Sequence, residues 1–409
     1  MYREIKKCRI CKKSGLIIVL SLGRQYLTGV FPKSKSEKIT RGPLDMVWCT
    51  HCGLLQMKQS YNLDEMYGDN YGYRSGLNSS MVKHLQQKIR MLEALVKPKA
   101  TDLMIDIGSN DATLLRACSG KYRKIGIDPT GKKFKKYYTK DMILIPDFFS
   151  AKIFNDHFPN KKAKIITSIA MFYDLEDPKE FVLDIGKCLA DDGIWHFEQS
   201  YMPSMLRTNA YDTICHEHLE FYSFKVINNL LESCGMRVID VEVNAVNGGS
   251  FAVTACKKTA KYVSNKPIIS WMLKQEKDMG LGTPKPYRDF EEKVYRHREN
   301  LRGLIEALVA DGKKIIGYGA STKGNVLLQF CGLGTKQIPY IAEVNEEKFG
   351  SYTPGTNIPI ISEKDAKTKK PDYLFVLPWH FKHYILEREK DFLANGGKFI
   401  FPLPEIEIV

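Results

Sequence analysis

Alternating strand and helix segments predict an α/β protein with an N-terminal metal-binding unit and two units built on parallel, doubly wound sheets. A strand, a glycine-containing loop and a helix follow one another twice, at residues 103–117 and 314–325. Two Cys-x-x-Cys pairs precede both corners. In a doubly wound sheet the ligand lies at the carboxyl edge of the strands, so both loops are candidate binding sites.

The composition is that of a folded globular protein of two or three domains. The chain has 409 residues, of which 44% are hydrophobic and 26% are charged. The apolar run Leu16–Leu22 is far shorter than the ~20 residues that span a bilayer. The early lysines and arginines are interleaved with Cys8 and Cys11, unlike those of a signal peptide. We therefore expect a cytoplasmic protein without a membrane partner.

The net charge of +14 raises the question of nucleic-acid binding. The basic residues are spread along the whole chain, and short clusters such as the one at 132–136 are typical of solvated helix faces. A positive field also attracts an anionic small substrate, such as a nucleotide-linked sugar. We expect that substrate and no nucleic acid. A monomer is compatible with the sequence, which does not itself determine the oligomeric state.

The ten cysteines include two Cys-x-x-Cys knuckles, and the other six are scattered among mostly apolar residues. This usage fits a reducing compartment with a metal site. Two knuckles can complete a tetrahedral shell of four sulfur ligands, which suits Zn²⁺. Because four thiolates leave no open position, the zinc is expected to be structural; redox-active or simply buried cysteines are the alternative. The predicted ligands are Cys8, Cys11, Cys49 and Cys52.

The first strand–loop–helix corner carries two carboxylates and a single glycine. Asp106 and Asp111 bracket Gly108, whereas a dinucleotide-binding loop has three glycines around a pyrophosphate that carboxylates repel. Ammonium and sulfonium groups suit these acids better, and Asp128, twenty residues after Gly108, can hydrogen-bond a ribose. S-adenosylmethionine (SAM) has all three groups, and the loop resembles the first motif of class I SAM-dependent methyltransferases. An ordinary turn between strand and helix is the alternative. The predicted cofactor contacts are Asp106, Gly108, Asn110, Asp111 and Asp128.

Three further strands are expected in this unit, at 142–145, 163–170 and 194–198, with a helix at 178–189. Asp147 and Phe148 follow the first of these strands. In SAM enzymes an acid at this place can accept a hydrogen bond from the adenine amino group, while an aromatic ring packs on the base. We therefore add Asp147 and Phe148 to the predicted cofactor site.

A dense polar stretch, Tyr211–Ser223, contains His216, Glu217 and His218. A polar helix start with one core histidine is one alternative to a catalytic role. A metal site is another, but it lacks a third ligand with clear spacing. Further on, Asn247-Gly-Gly249-Ser250 precedes a strand at 251–255, and residues 263–311 form a charged connector with a helical pattern from Pro286.

The second corner, Gly317–Asn325, contains Lys323 and two hydroxyl side chains, which are groups that suit a phosphate. Its spacing is neither G-x-G-x-x-G nor a Walker A loop, so the loop alone is weak evidence for a nucleotide. The next strand, at 338–344, leads into Asn345 and Lys348, and another is expected at 373–377. This pattern predicts a small Rossmann-like unit.

Nearly the full chain resembles the SAM-dependent C-methyltransferases that act on nucleotide-linked 4-keto deoxysugars. The resemblance implies an N-terminal zinc-binding domain, a class I SAM methyltransferase Rossmann-like domain and a C-terminal Rossmann-like domain that holds the nucleotide end of the sugar. We place them at 1–65, 66–262 and 312–409, with a helical connector at 263–311. The matching motifs are the two knuckles, Tyr71-x-Tyr73-x-Ser75, Asp106-Ile-Gly-Ser-Asn-Asp111, Tyr211-Asp-Thr-Ile-x-His-Glu-His218, Gly248-Gly-Ser250, Gly317-x-Gly-Ala-Ser-x-Lys-Gly324 and Pro354-Gly355-x-x-Ile358-Pro359.

The resemblance also implies residue roles. His218 resembles the family's general base, with Glu217 beside it, and removes a proton next to the ketone, at C3, to leave an enolate that attacks the SAM methyl group. The better-known relatives have a tyrosine three positions before the base, where this chain has Cys215. Tyr71 or Tyr73 is therefore expected to carry the phenol role. The predicted substrate contacts are His216, Asn247, Gly249, Ser250, Gly319, Ser321, Lys323, Asn345 and Lys348.

Two other classes of function stay open at the level of sequence. One is methyl transfer to oxygen or nitrogen of a sugar or other small molecule, which needs no base beside a carbon atom. The other is a non-catalytic nucleotide-sugar-binding protein with a vestigial SAM loop. Ala112 mildly favours the second, because a glycine is common at that position in SAM loops.

Overall fold

The computed structural model describes residues 2–66 and 73–409 and contains the following regular elements. The strands are β1 (Arg3–Glu4), β2 (Leu16–Tyr26), β3 (Arg41–Cys49), β4 (Leu55–Met57), β5 (Gln59–Ser60), β6 (Leu103–Ile107), β7 (Arg123–Ile127), β8 (Met142–Ile145), β9 (Ala163–Ile169), β10 (Leu189–Ser200), β11 (Glu220–Phe221), β12 (Met236–Asn244), β13 (Ser250–Lys257), β14 (Ile315–Tyr318), β15 (Ile341–Glu343), β16 (Ile360–Ser362), β17 (Tyr373–Val376), β18 (Lys398–Phe401) and β19 (Glu407–Ile408). The α-helices are α1 (Leu63–Met66), α2 (Ser79–Val96), α3 (Thr113–Ala117), α4 (Gly131–Phe134), α5 (Ala151–His157), α6 (Pro178–Cys188), α7 (Met202–Arg207), α8 (Phe224–Ser233), α9 (Lys266–Asp278), α10 (Lys285–Ala310), α11 (Thr322–Cys331), α12 (Glu363–Thr368), α13 (Lys382–Arg388) and α14 (Lys390–Ala394).

The N-terminal sheet is antiparallel and has the strand order β11-β4-β3-β2. The long hairpin of β2 and β3 carries the sheet, and its bulges at Ile18/Leu20 and Ser21/Arg24 bend it. The edge strand β11 comes from the polar stretch, more than 150 residues later in the chain, and pairs with β4 through Glu220 opposite Gln56. The predicted polar stretch is therefore built into the sheet that follows the first cysteine knuckle.

The central sheet has the order β12-β13-β10-β9-β6-β7-β8, and its strands β6 to β10 are parallel to their neighbours in this group. The strand predicted at 251–255 lies in this sheet as β13, but it runs antiparallel to both β10 and β12. A purely parallel sheet was therefore the wrong expectation. Residues 245–249 alone connect β12 to β13, which is too short for the crossover that parallel strands need.

The C-terminal sheet has the order β16-β15-β14-β17-β18-β19, and its first five strands are parallel. Strand β14 leads into the loop at 319–321, and helix α11 begins directly after it. The direction of the strand order reverses between β14 and β17, so the loops that follow these two strands flank the crevice where α/β sheets bind ligands. The α/β fold with an N-terminal cysteine cluster and two Rossmann-like units is confirmed.

The connector consists of two helices, α9 and α10, of which only the second was expected from the sequence. Helix α10 buries one stripe of side chains: Tyr287, Phe290, Val294, Leu301 and Ile305. It contacts the N-terminal sheet, since the Tyr295 hydroxyl donates to the Ser21 carbonyl oxygen at 2.8 Å, and it also packs into the core of the C-terminal unit. In residues 2–66 and 73–409, no helix combines the length and hydrophobicity needed to cross a membrane.

Candidate active site and metal centre

The four predicted metal ligands come together in one cluster. Their sulfur atoms all lie within 4.8 Å of one another, with Cys8 Sγ 3.5 Å from Cys52 Sγ and Cys11 Sγ 3.6 Å from Cys49 Sγ. A Zn–S bond of ~2.3 Å requires sulfur atoms at about these separations in a tetrahedron. The donor set and the spacing therefore fit Zn²⁺ with four thiolates and no position left for a substrate.

The loop after β6 lies at the carboxyl edge of the central sheet. Gly108 has a φ of +71°, a backbone conformation that favours glycine, and a Cβ atom there would lie in tight contact with Cγ of Met171, at 3.1 Å. Ala112 also has a positive φ, +59°, at the start of α3. Ala112 occupies the position where SAM loops commonly have glycine, and it has a left-handed backbone conformation.

Asp128 supports this loop. Its Oδ2 atom accepts from the backbone N–H of Asn110 at 2.7 Å, and its Oδ1 atom accepts from the N–H and the hydroxyl of Thr130, both at 2.6 Å. A carboxylate has about four acceptor positions, so the buried Asp128 can still accept from a ribose hydroxyl. The residue therefore combines positioning of the loop with the predicted contact to the cofactor.

Asp106 is the fourth residue of β6 and is buried. Its Oδ1 atom accepts from the Thr167 hydroxyl at 2.6 Å, and burial, opposed by that hydrogen bond, raises the pKa of Asp106 to about 7. An ammonium group brought next to this carboxyl would favour its ionised form. The site is therefore suited to a cationic ligand, as the sequence pattern predicts.

Residues 73–76 contact the same loop. The Asn110 side chain accepts from the Ser75 N–H at 3.1 Å and donates to the Tyr73 carbonyl oxygen at 3.3 Å, and Asp111 Oδ2 accepts from the Gly76 N–H at 3.2 Å. Tyr73 itself is exposed. Tyr71 lies outside the described residues. Asp147 and Phe148 lie exposed after β8 and are open to a ligand at this edge.

His218 is half-buried between the N-terminal sheet and the C-terminal unit. Its Nδ1 atom lies 2.8 Å from the Thr213 carbonyl oxygen, and the Tyr173 ring packs on it with a centroid distance of 4.3 Å. Burial and, next, the positive charge of Lys323 lower the pKa of His218 to about 4. The imidazole is therefore neutral at pH 7, with a lone pair on Nε2.

Glu217 and Cys215 are both buried next to His218. Burial raises the pKa of Glu217 and raises that of Cys215 well above its ordinary value, so Cys215 is a neutral thiol. A Cβ atom at Gly29 would collide with the Glu217 carboxyl group and would lie 3.6 Å from the Thr322 hydroxyl. At Gly29 the N-terminal unit therefore contacts both the polar stretch and helix α11. The local sequence around Gly29 does not predict this contact.

His216 points away from His218, into the N-terminal unit. It lies with its ring edge-on to Tyr61 at a centroid distance of 4.6 Å, and Nδ1 is 3.4 Å from the Thr28 hydroxyl. Burial lowers the pKa of His216 to about 3. Within the described residues its Nε2 atom has no hydrogen-bond partner. The substrate role of His216 stays a prediction, and the two histidines do not share one site.

Lys323 lies at the start of α11 and connects the C-terminal unit to the central one. Its ammonium group donates to the Asn247 carbonyl oxygen at 2.7 Å. Its charge also acts on Asp212, whose Oδ2 atom accepts from the Trp379 indole at 2.7 Å. The Asp212 Oδ1 atom has no partner among the residues described. Two predicted substrate residues, Lys323 and Asn247, are therefore neighbours, next to a buried acid and a tryptophan.

The remaining predicted substrate residues mainly shape the loops. Gly249 accepts from the Tyr201 N–H at 3.0 Å and has no space for a Cβ atom next to Ser204, while the buried Ser250 hydroxyl donates to Val246. Gly319 has a positive φ and packs on Pro378, and Ser321 caps helix α11. Asn345 caps the turn at 346–348, and Lys348 donates to the Ala320 carbonyl oxygen.

Three polar residues were not among the predicted site residues. Buried polar atoms without a partner in the described part of the chain occur on Asn325 in α11, on His380 after β17 and on Gln199 at the end of β10. Asn325 ends the second corner, Gly317–Asn325, whereas His380 and Gln199 come from segments whose pattern indicates only core or surface. The last two were missed because their place is set by packing between distant segments. Unpartnered buried groups of this kind suit a polar ligand, since they are costly without one.

Family models match three successive parts of the chain. A zinc binding domain covers residues 8–67, a methyltransferase domain covers residues 81–241, and a C-methyltransferase C-terminal domain covers residues 245–404. The curated relative "C-methyltransferase NovU" from Streptomyces niveus is 32% identical over 411 aligned residues, which include 100% of this chain and 97% of the relative.

Solved methyltransferase structures are similar to less than half of the chain at low identity. The plantazolicin methyltransferase BpumL, in complex with a triazolic desmethylPZN analogue and SAH, is 12% identical with a TM-score of 0.36, covering 45% of this chain and 87% of that one. A SAM-dependent methyltransferase from Clostridium acetobutylicum is 10% identical with a TM-score of 0.33, covering 42% and 91%. These values carry no argument about substrate.

The zinc binding domain model matches the region that contains the cysteine cluster, and the methyltransferase domain model matches the region that contains the loop after β6. The C-methyltransferase relative matches the full length of the chain. SAM and a structural zinc ion, both predicted from the sequence, are confirmed as the cofactors. The loop is therefore that of a working methyltransferase family and not a vestige. The chain belongs to the family of SAM-dependent C-methyltransferases that carry an N-terminal zinc-binding domain.

Proposed function

We propose that the protein methylates the carbon next to the ketone, C3, of a nucleotide-linked 4-keto deoxysugar through a base-generated enolate. The observation that carries this proposal is the state of His218. Its Nδ1 atom is bonded to a carbonyl oxygen and its pKa is low, so Nε2 is free to accept a proton at pH 7. Methylation of carbon requires removal of a carbon-bound proton, which transfer to oxygen or nitrogen does not require.

In the proposed reaction His218 Nε2 takes the proton from C3, and the electron pair of the broken C–H bond moves toward the ketone oxygen. SAM, when bound, supplies an electrophilic methyl group for that carbon. Burial raises the pKa of Glu217, which suits a carboxyl group that donates a hydrogen bond to the oxyanion. Cys215 is a poor donor for this purpose. Tyr73, docked on the cofactor loop, and Tyr71 are the candidates for the phenol role.

The nucleotide end of the substrate is assigned to the second Gly-containing loop. Lys323 brings a positive charge to the boundary between the central and C-terminal units, where Asn247 already contacts it. Lys323 lies near the loops that follow β14 and β17, where the strand order reverses and where α/β sheets bind ligands. With the diphosphate bound at Lys323, the sugar would extend toward His218. The two residues are close enough that the charge of Lys323 lowers the pKa of His218.

The test is exchange of the C3 proton with solvent. The protein is incubated in D₂O with SAH and a panel of nucleotide-linked 4-keto-6-deoxysugars, and loss of the C3 proton signal is followed by NMR. We expect exchange with wild type, and a ~10²–10⁴-fold slower exchange with His218→Asn. With SAM instead of SAH, the sugar should gain one methyl group on carbon. Methyl transfer without any exchange would replace this proposal with transfer to oxygen.

A further inference from the structure

Arg9 lies inside the first cysteine knuckle, directly after the ligand Cys8, and is only 3% exposed. Its side chain leaves the knuckle and crosses the N-terminal sheet. One terminal nitrogen donates to the Met57 carbonyl oxygen at 2.5 Å, and the other donates to the Ser60 hydroxyl at 2.8 Å. Its Nε atom lies 3.5 Å from Oε1 of Glu220. A charged side chain thus extends from the metal centre to strand β11.

Glu220 is the second residue after His218 and is buried. Neither of its carboxylate oxygens has a hydrogen-bond partner in the described part of the chain, so the Arg9 guanidinium is the positive charge that offsets its burial. Arg9 Nε is also 3.5 Å from Glu176, but that side chain is partly exposed and pairs with Arg3 at 2.9 Å. Burial raises the pKa of the Glu220 carboxyl well above its ordinary value, and the positive charge of Arg9 is the largest effect that opposes this rise. Arg9 is therefore the group that holds Glu220 at this place, 3.5 Å from its Nε atom.

The backbone adds two further connections between the knuckle and the polar stretch. The Arg9 N–H donates to the Gln56 side chain at 3.1 Å, and Gln56 is the residue of β4 that pairs with Glu220 of β11. The Met57 N–H donates to the Leu219 carbonyl oxygen at 2.8 Å. Leu219 directly follows His218. The knuckle, β4 and the segment that carries His218 therefore form one continuous hydrogen-bonded unit.

We infer that Arg9 is a positioning residue for His218: through Glu220 and the pairing of β4 with β11, it holds the catalytic segment in register with the knuckle. Cys8 and Cys11, which would hold the zinc ion on either side of Arg9, would fix the backbone from which that side chain reaches Glu220. The zinc domain then contributes to the geometry of the base although it contacts no reacting atom. This inference rests on the proposed role of His218.

The test compares Arg9→Met with a control directly after the knuckle, Lys12→Met. In the described part of the chain Lys12 forms its ion pair with Asp177, and both of these side chains are about half exposed. Zinc content, SAH affinity and amide hydrogen exchange are measured for each. We expect full zinc content and unchanged SAH affinity in both variants. Exchange of the 213–222 segment should become at least tenfold faster in Arg9→Met alone, and kcat should fall at least tenfold with a smaller change in KM.

Two more variants separate positioning from general stability. Arg9→Lys keeps the charge and should restore much of the protection of the 213–222 segment. The double variant Arg9→Met, Glu220→Met leaves no unpaired charge and should exchange more slowly in that segment than Arg9→Met. If Arg9→Met fails to fold, Glu220→Gln carries the same test. Uniform loss of protection over the whole chain, or no change at 213–222, would overturn the inference.

His218→Asn, measured in parallel, distinguishes this inference from the proposed function. If His218→Asn abolishes exchange of the sugar proton while Arg9→Met leaves the 213–222 segment protected, the base assignment stands and the positioning role is wrong. If His218→Asn keeps full activity while Arg9→Met loosens that segment, the base assignment is wrong and the structural connection from the knuckle stands.

Discussion

The carbonyl oxygen of Thr213 accepts a hydrogen bond from Nδ1 of His218 at 2.8 Å. Since a carbonyl oxygen can only accept, Nδ1 must carry the ring proton, and Nε2 must keep its lone pair. The partner lies five residues earlier in the same polar stretch, so the chain orients this ring locally. The neutral tautomer that a base requires is therefore already selected before a substrate is bound.

The first prediction concerns pH. The folded-state pKa of His218 is about 4, below its ordinary value of 6.5, so the ring is unprotonated above about pH 5 and gains a proton as the pH falls through 4. Because a base acts only when unprotonated, kcat should stay level between pH 8 and pH 6 and decrease below about pH 5. Initial rates of C3 exchange across this range check it. A fall of kcat centred near pH 6.5 would show that the environment of His218 does not lower its pKa.

The second prediction concerns the metal. The protein as purified should contain one equivalent of Zn²⁺, and Cys8→Ser should lose most of it, because Cys8 is one of the four clustered ligands and is buried. Elemental analysis by mass spectrometry measures both values. Cys118→Ser is the matched control, since Cys118 is buried in the central unit far from the knuckles in sequence. Zinc below half an equivalent in wild type, unaffected by Cys8→Ser, would contradict the assignment.

The third prediction concerns SAM. Asp128→Asn removes a charged acceptor that holds the loop after β6 and is the predicted ribose contact, so affinity for SAH should fall by about 1.5–3 kcal/mol. Asp141→Ala is the control, because Asp141 pairs with Lys124 on the exposed side of the same sheet. Calorimetry on both variants is the measurement. Equal affinities for Asp128→Asn and wild type would exclude the ribose contact.

The fourth prediction concerns the sugar nucleotide. Lys323→Ala should raise its KM about 10- to 100-fold, which corresponds to the about 1.5–3 kcal/mol of a charged hydrogen bond, and should leave SAH affinity unchanged. Lys293→Ala, on the exposed face of α10, serves as control. Steady-state kinetics with the 4-keto sugar nucleotide and calorimetry with SAH separate the two effects. A parallel loss of both ligands would mean that the two loops are assigned to the wrong ligands.

Much of the architecture could be predicted because it depends on neighbours in the chain. The spacing of Cys8 and Cys11 within a knuckle, the turn at Gly108 and the strand endings at Asp128 and Asp147 are local features, and residue type alone indicates their chemistry. The predicted direction of β13 was wrong because a run of apolar residues does not indicate whether a strand is parallel or antiparallel to its neighbours. The short connection at residues 245–249 makes β13 antiparallel to β12.

The sequence by itself determined each of the two cysteine pairs, the cofactor loop and the polar stretch Tyr211–Ser223, since each is a short motif whose residues are neighbours in the chain. That the two cysteine pairs meet in one cluster was decided by the tertiary structure. Only the tertiary structure decided that Glu217 meets Gly29 and Thr322, that Lys323 reaches Asn247, and that Arg9 pairs with Glu220. These partners lie 76 or more residues apart in the chain. Contacts at that separation form because whole sheets and helices bury their apolar faces against each other, and that packing leaves no periodic trace in the sequence around either partner.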